Sequence, residues 1–106
     1  MELKELRELA TSIKKHLPHP LRYSVDKGPY GRSYQVLHRN GRGYETLISI
    51  FDNSTLLIRS AGRSSDAIAE TIQPHVEAGL ESRRYKLRHS ARVGSGLLYV
   101  VEKSNE

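Results

Sequence analysis

The sequence contains no cysteine, and its apolar residues never run on for long. Without cysteine there are no disulfide bonds, thiolate metal sites or cysteine nucleophile, so chemistry falls to His, Asp, Glu and hydroxyl groups. The longest apolar run, Leu97 to Val101, is far shorter than the ~20 residues that a membrane-spanning helix needs. Residues 1–17 alternate charge with leucine, unlike a signal peptide. We therefore expect a cytoplasmic protein with no membrane association.

Length and composition predict a single α+β domain over residues 1–106. A chain of 106 residues with 37% apolar and 27% charged residues can bury a core and is too apolar to be disordered. Its formal net charge is +5, and the positive charge is concentrated in residues 22–63 and 83–92. A basic protein of this kind favours an acidic partner, although a charged, solvated surface is the common alternative explanation.

Two segments have the apolar spacing of an amphipathic helix. Residues 2–17 place apolar side chains three and four positions apart, with glutamates early and basic residues late, as the helix dipole favours. Residues 64–80 repeat apolar side chains every four positions. Within this second helix, Pro74 predicts a kink or a break, and Gly79 predicts a C-terminal cap.

The remaining apolar segments predict strands, which gives the order α-β-β-β-β-α-β-β. The residues "NGRG" at 40–43 are a strong hairpin signal, and Asp52 to Ser54 supply a second turn. The predicted strands cover residues 21–26, 33–39, 44–51, 55–61, 83–89 and 96–103. The expected fold is therefore an antiparallel sheet with two helices packed on it.

Residues 47–51 and 56–58 are apolar on both faces, which is typical of central strands that are covered on both sides. Only two helices are predicted to cover them. If both helices lie on one face, the other face needs a partner chain, and a second copy is the simplest partner. We therefore expect a homodimer.

A basic block near the end of the chain is the first candidate for function. Strand alternation over residues 83–89 places Arg84, Lys86 and Arg88 on one face, about 6.5–7 Å apart. A row with this spacing can neutralise successive phosphates and release counterions. Arg92 belongs to the same block and is included as a contact. The competing explanation is an edge strand that uses cations to repel other edges.

Arginine and tyrosine also alternate around the "NGRG" hairpin. Tyrosine rings stack on bases while arginines hold phosphates, so Arg39, Arg42 and Tyr44 are further candidate contacts with nucleic acid. Arg42, Gly43 and Tyr44 match the first three positions of the RNP1 motif of RNA-recognition domains. Glu45 breaks the match, and the order of elements differs from that fold, so we reject an RNA-recognition domain.

The same hairpin holds a candidate catalytic pair. If Arg39 faces Tyr44 across the turn, then His38 faces Glu45 on the same side of the sheet. A metal-independent ribonuclease needs a His or Glu as general base and a cation beside the phosphorane, which Arg39 or Arg59 would supply. Many surface hairpins carry the same residues, so this is the alternative and not the preferred hypothesis.

These patterns favour a non-enzymatic nucleic-acid-binding protein, with DNA and RNA both open. A small endoribonuclease and a protein-interaction or dimerisation module remain alternatives. No cofactor is expected, because neither glycine-rich turn has the GxxxxGK[ST] pattern of a nucleotide-phosphate loop. No metal site is expected either, because His16 and His19 have no evident third ligand.

Overall fold

The computed structural model describes residues 1–18, 22–40, 43–59, 65–94 and 96–104. Within these ranges the chain forms two helices and six strands: α1 (Leu3–His16), β1 (Tyr23–Lys27), β2 (Ser33–Asn40), β3 (Gly43–Phe51), β4 (Thr55–Arg59), α2 (Ser65–Glu81), β5 (Tyr85–Val93) and β6 (Gly96–Lys103). A 3-10 turn, Pro29–Gly31, joins β1 to β2. The predicted α+β fold and its order of elements are confirmed.

The six strands described form one antiparallel sheet in the order β1-β2-β3-β4-β6-β5. Strands β2, β3 and β4 make the predicted meander, and β3 and β4 occupy the centre. Pairing between β2 and β3 extends to Asn40 and Gly43, while Gly41 and Arg42 lie outside the described residues. The crossover through α2 places β6 beside β4 and leaves β1 and β5 as the edges.

Both helices pack on one face of the sheet, which we call the helix face. The Tyr99 hydroxyl donates to Gln73 of α2 (3.1 Å), and the Tyr85 hydroxyl donates to Glu5 of α1 (2.9 Å). Because side chains alternate along a strand, the residues in register with Tyr99 share this face. They are the buried core residues of the sheet: Val36, Ile48, Ile50, Leu56, Ile58, Leu97 and Val101.

The opposite face of the sheet, which we call the outer face, is apolar at its centre. The same alternation assigns to it five partly exposed side chains: Leu37, Phe51, Leu57, Leu98 and Val100. Ser49 lies among them, fully buried, and its hydroxyl has no hydrogen-bond partner. Neither of the two described helices covers this face, which is the arrangement for which a partner chain was expected; the homodimer itself stays a prediction.

The two helices touch most closely at Gly79. A Cβ atom added to Gly79 would lie 2.6 Å from the Cα of Ile13, so only glycine allows this approach. α2 continues past Gly79 to Glu81, so Gly79 is not the predicted C-terminal cap. The helix also runs through Pro74, and the predicted break is absent. The prediction of a cap at Gly79 was wrong because a glycine near a helix end can permit close helix packing as well as end a helix.

Replacing Gly79 with alanine should lower the free energy of unfolding by up to about 2 kcal/mol. Overpacking typically costs about 1–3 kcal/mol, against a gain of about 1 kcal/mol in helix propensity. Urea unfolding measures the difference. Gly43→Ala is the matched control, because a Cβ there has no neighbour within 4 Å. Equal stability of the two variants would show that the α1–α2 contact is looser than described.

Candidate nucleic-acid interface

Four arginines lie at one end of the sheet, three of them on strands and one just before β1. β2, β4 and β5 end there and β1 begins there, which follows from the antiparallel order. Arg22, Arg39, Arg59 and Arg92, all exposed, form what we call the arginine end. Since neighbouring strands lie about 4.8 Å apart, the five intervals from β1 to β5 spread these arginines over about 24 Å.

The C-terminus of α1 adds to the charge at the arginine end. Its last turn carries Lys14, Lys15 and His16, immediately before the chain enters β1. The acidic side chain that the described strands bring to this end is Glu45, opposite His38. The glutamate in the first turn of α1, Glu5, lies at the other end of the sheet beside Tyr85. The last turn of α1 therefore adds positive charge to the arginine end.

Arg39 and Tyr44 form an exposed stacked pair on the outer face. They are directly opposite each other in the hairpin, as predicted. The guanidinium carbon of Arg39 lies 5.7 Å from the centroid of the Tyr44 ring, and Nη2 donates to the tyrosine hydroxyl (3.4 Å). The Tyr44 side chain is still 55% exposed. A cation held against an accessible aromatic ring can contact a phosphate and a base together.

The predicted basic row on β5 is only partly formed. β5 begins at Tyr85, and Arg84 sits before it in a left-handed turn conformation (φ +63°). Arg84 therefore does not share the strand alternation, and its placement in the row was wrong. Its carbonyl oxygen instead accepts a hydrogen bond from the Ser104 N–H (2.8 Å).

Lys86 and Arg88 do lie together, exposed, on the outer face of the edge strand β5. Their charge is partly compensated by the neighbouring strand. Glu102 stands directly opposite Lys86, and its carboxylate lies 3.5 Å from the Arg88 guanidinium. The sequence of β5 alone predicts a uniformly cationic face. In the folded protein, β6 adds the acidic side chain of Glu102 to that face.

Arg92 lies on the opposite face of the sheet from Lys86 and Arg88. A register shift between His89 and Ala91 reverses the alternation, so Arg92 pairs with the buried Leu97 of the helix face. Arg92, predicted as a nucleic-acid contact from the same basic block, therefore does not share a face with Lys86 and Arg88. Arg92 instead belongs to the arginine end, at the same end of the sheet as Arg39 and Arg59.

His38 and Glu45 face each other in the hairpin, as predicted. The His38 ring packs on the helix face against Tyr23, with ring centroids 5.3 Å apart. Arg39 and Arg59, the proposed phosphorane cations, belong by alternation to the outer face. The pair is therefore formed, but the cation that a ribonuclease requires is placed on the other side of the sheet.

A charged cavity of about 350 Å³ lies between α1 and the start of β5, at the other end of the sheet. Arg83 approaches Glu8 (3.7 Å) and donates from Nε to the Ser12 hydroxyl oxygen (3.0 Å). Arg84 and Lys103 also line the cavity. The sequence did not indicate Arg83 and Lys103 as cavity residues, because these contacts join segments more than seventy residues apart.

Burial of the Tyr85 hydroxyl, together with its hydrogen bond to the Glu5 carboxylate, raises the pKa of Tyr85 to about 12. The charges of Glu5 and Glu8 act in the same direction. The hydroxyl is thus a proton donor that ties the edge strand β5 to α1. This hydrogen bond gives the Glu5 carboxylate a partner within the protein, so this wall of the cavity stabilises the fold.

The described residues contain no cluster of metal ligands and no helix that could span a membrane. No group of three His, Asp or Glu side chains there is arranged to hold a metal ion. The Nδ1–H of His16 donates to the Ser12 carbonyl oxygen (2.8 Å), while His19 falls outside the described ranges. Of the helices described, neither has the length and hydropathy to cross a bilayer.

Comparison with protein-family models, curated proteins and solved structures gives no match for this chain. A functional assignment therefore depends on the geometry and charge of its own residues.

The hydroxyl of Tyr85 should make stability fall at high pH. Its pKa is higher in the folded state than the ordinary value of 10.0, so its contribution is fully present below pH 10 and is lost as pH rises towards 12. Urea unfolding between pH 9 and 12 measures this loss, and Tyr85→Phe should show less of it. Parallel loss in both proteins would mean that the hydroxyl does not bind its proton more tightly on folding.

The purified protein should not cleave RNA, because the arginines that would stabilise a phosphorane lie on the other face from His38 and Glu45. A fluorescent single-stranded RNA incubated with wild type and with His38→Ala checks this. The expected result is no cleavage by either protein. Cleavage by the wild type that disappears in a folded His38→Ala variant would instead support the endoribonuclease.

Proposed function

We propose that this protein binds nucleic acid through the arginine end. The observation that carries the proposal is the placement of four exposed arginines at one end of the sheet: Arg22, just before β1, and Arg39, Arg59 and Arg92, on three other strands. The basic last turn of α1 extends the same surface. Cations spread over about 24 Å can contact several phosphates at once, and the release of their counterions drives binding.

The exposed Arg39–Tyr44 pair favours nucleic acid over a featureless polyanion. Its aromatic ring is open to solvent and is already in contact with a guanidinium group. Stacking of a base on an aromatic side chain is worth about 1–3 kcal/mol and requires a base that is not enclosed in a duplex. Both DNA and RNA fit this chemistry. Lys86 and Arg88 form a separate, weaker patch, because Glu102 lies between them and the rest of the sheet.

A second candidate function, a dimerisation or protein-interaction module, is favoured by a different observation. Both described helices lie on the helix face, while the outer face presents apolar side chains around Ser49. Apolar sheet faces of this kind are typically covered by another protein surface. The two candidates are compatible, because the arginine end and the centre of the outer face are different surfaces.

Two triple variants with the same loss of charge test the proposal. Arg22, Arg39 and Arg59 are changed to glutamine in one, and Arg84, Lys86 and Arg88 in the other. The first should lower the slope of log affinity against log salt by about two to three units, since each contact contributes about 0.9 on duplex DNA and about 0.7 on a single strand. The second should change the slope by less than one unit.

Binding is measured on single- and double-stranded DNA and RNA at several salt concentrations. Both triple variants should remain folded, because exposed substitutions usually change stability within about 0.5 kcal/mol. A larger loss of slope in the second variant would move the interface to β5. Absence of wild-type binding to all four nucleic acids at low salt would refute nucleic-acid binding itself.

A further inference from the structure

We propose that a second copy of this chain covers the outer face, with the two-fold axis parallel to the strands, so that the two arginine ends lie side by side. The dimer and the direction of its two-fold axis are inferred from the residues of the outer face alone. Its consequence for nucleic-acid binding rests on the function proposed above.

The size of the outer face suits a stable dimer. Six strands about 4.8 Å apart give a width of about 25–30 Å, and strands of five to nine residues at about 3.3 Å per residue give a length of about 17–30 Å. The area is therefore roughly 600 Å² per copy before side-chain relief is counted. A standard specific interface buries about 800 Å² per partner, so the whole sheet face, together with the relief of its side chains, is required.

The centre of the outer face is self-complementary in shape. Ser49 on β3 is directly opposite Leu57 on β4, so a small side chain adjoins a large one across the middle of the sheet. A two-fold axis between β3 and β4 exchanges these strands, which brings each Leu57 over Ser49 of the partner subunit. Aligned sheets pack about 10 Å apart through interdigitating side chains of this kind.

The edges of the outer face fix the direction of the axis. Asp26 lies on this face at the β1 edge, and Lys86 and Arg88 lie at the β5 edge. An axis parallel to the strands places the β1 edge of one copy over the β5 edge of the other. The registers put Asp26 at the height of Ala91, about 7 Å along the strand from Arg88, which is within reach of the long arginine side chain. An axis perpendicular to the strands places β5 over β5 and β1 over β1, so like charges meet, which is unfavourable.

This orientation has a consequence for binding. Rotation about an axis parallel to the strands preserves strand direction, so the arginine ends of both copies lie at the same end of the dimer. The combined surface presents eight arginines and two Arg39–Tyr44 pairs. One nucleic acid strand can then engage both copies, and the second contact benefits from a high effective concentration.

Leu57→Glu tests the dimer. A carboxylate at the centre of the apolar interface should weaken association at least a hundredfold, as loss of a central contact typically does. Light scattering at high micromolar concentration should give twice the chain mass for the wild type and the single-chain mass for the variant. Ser82→Glu, at an exposed position just after α2, makes the same charge change on the helix side of the sheet and should remain dimeric. A wild type with the mass of one chain would overturn the proposal.

Charge reversal tests the direction of the axis and does not alter the apolar centre. Asp26→Lys and Arg88→Glu should each weaken dimerisation about fivefold to tenfold, and the double variant should recover most of the loss, as expected for pairs of partly exposed charges. Additive weakening in the double variant would exclude the parallel axis. This measurement is also decisive if Leu57→Glu fails to fold.

Binding by the monomeric variant separates the two proposals. Leu57→Glu should still bind nucleic acid, with about half the wild-type salt slope, because one arginine end remains. A dimer that binds no nucleic acid would refute the proposed function and leave the dimer intact. If Leu57→Glu is monomeric and has the same salt slope as the dimeric wild type, the two arginine ends do not act together.

Discussion

The close contact between α1 and α2 at Gly79 is the constraint on which the rest of the structure depends. A glycine against the backbone of Ile13 lets the two helices lie next to each other as one layer. That layer covers only the helix face, where Tyr85 and Tyr99 reach across to hydrogen-bond with the helices. Two helices separated by a larger residue would have to spread apart or divide between the faces. The packing of both described helices on the helix face therefore leaves the apolar outer face without a helix over it.

Irregularities in strand register decide which charges act together. The register shift before Ala91 moves Arg92 to the face opposite Lys86 and Arg88. In the β2–β3 hairpin, the pairing that follows a register shift between Val36 and Leu37 keeps Arg39 with Tyr44 on one face and His38 with Glu45 on the other. A shift of one residue exchanges faces, because side chains alternate with a period of two. The hairpin thus separates a stacking pair from an acid–base pair, which favours binding over catalysis.

The connection through α2 also determines where charge accumulates. β4 ends at the arginine end, and α2 carries the chain to the opposite end before β5 begins. β5 therefore finishes beside the ends of β2 and β4, and Arg92 joins Arg39 and Arg59. The acidic first turn of α1 lies at the far end, where Glu5 is bonded to Tyr85. The arginine end is therefore a candidate binding surface, and the net charge of +5 attracts polyanions.

Local patterns were enough to determine the elements of this protein: the amphipathic spacing of α1, the hairpin signal at residues 40–43 and the apolar runs of β3 and β4 each depend on neighbouring residues. The pairing of His38 with Glu45 followed from the length of that hairpin. The positions of Gly79, Arg84 and Arg92 did not follow, because helix contact, a left-handed turn and a bulge depend on partners distant in sequence. The same reason explains why Lys86 and Arg88 read as a purely cationic row: Glu102 reaches them only through β5–β6 pairing. The four arginines come to one end of the sheet only in the tertiary structure, because no single segment of the sequence determines the order of the strands.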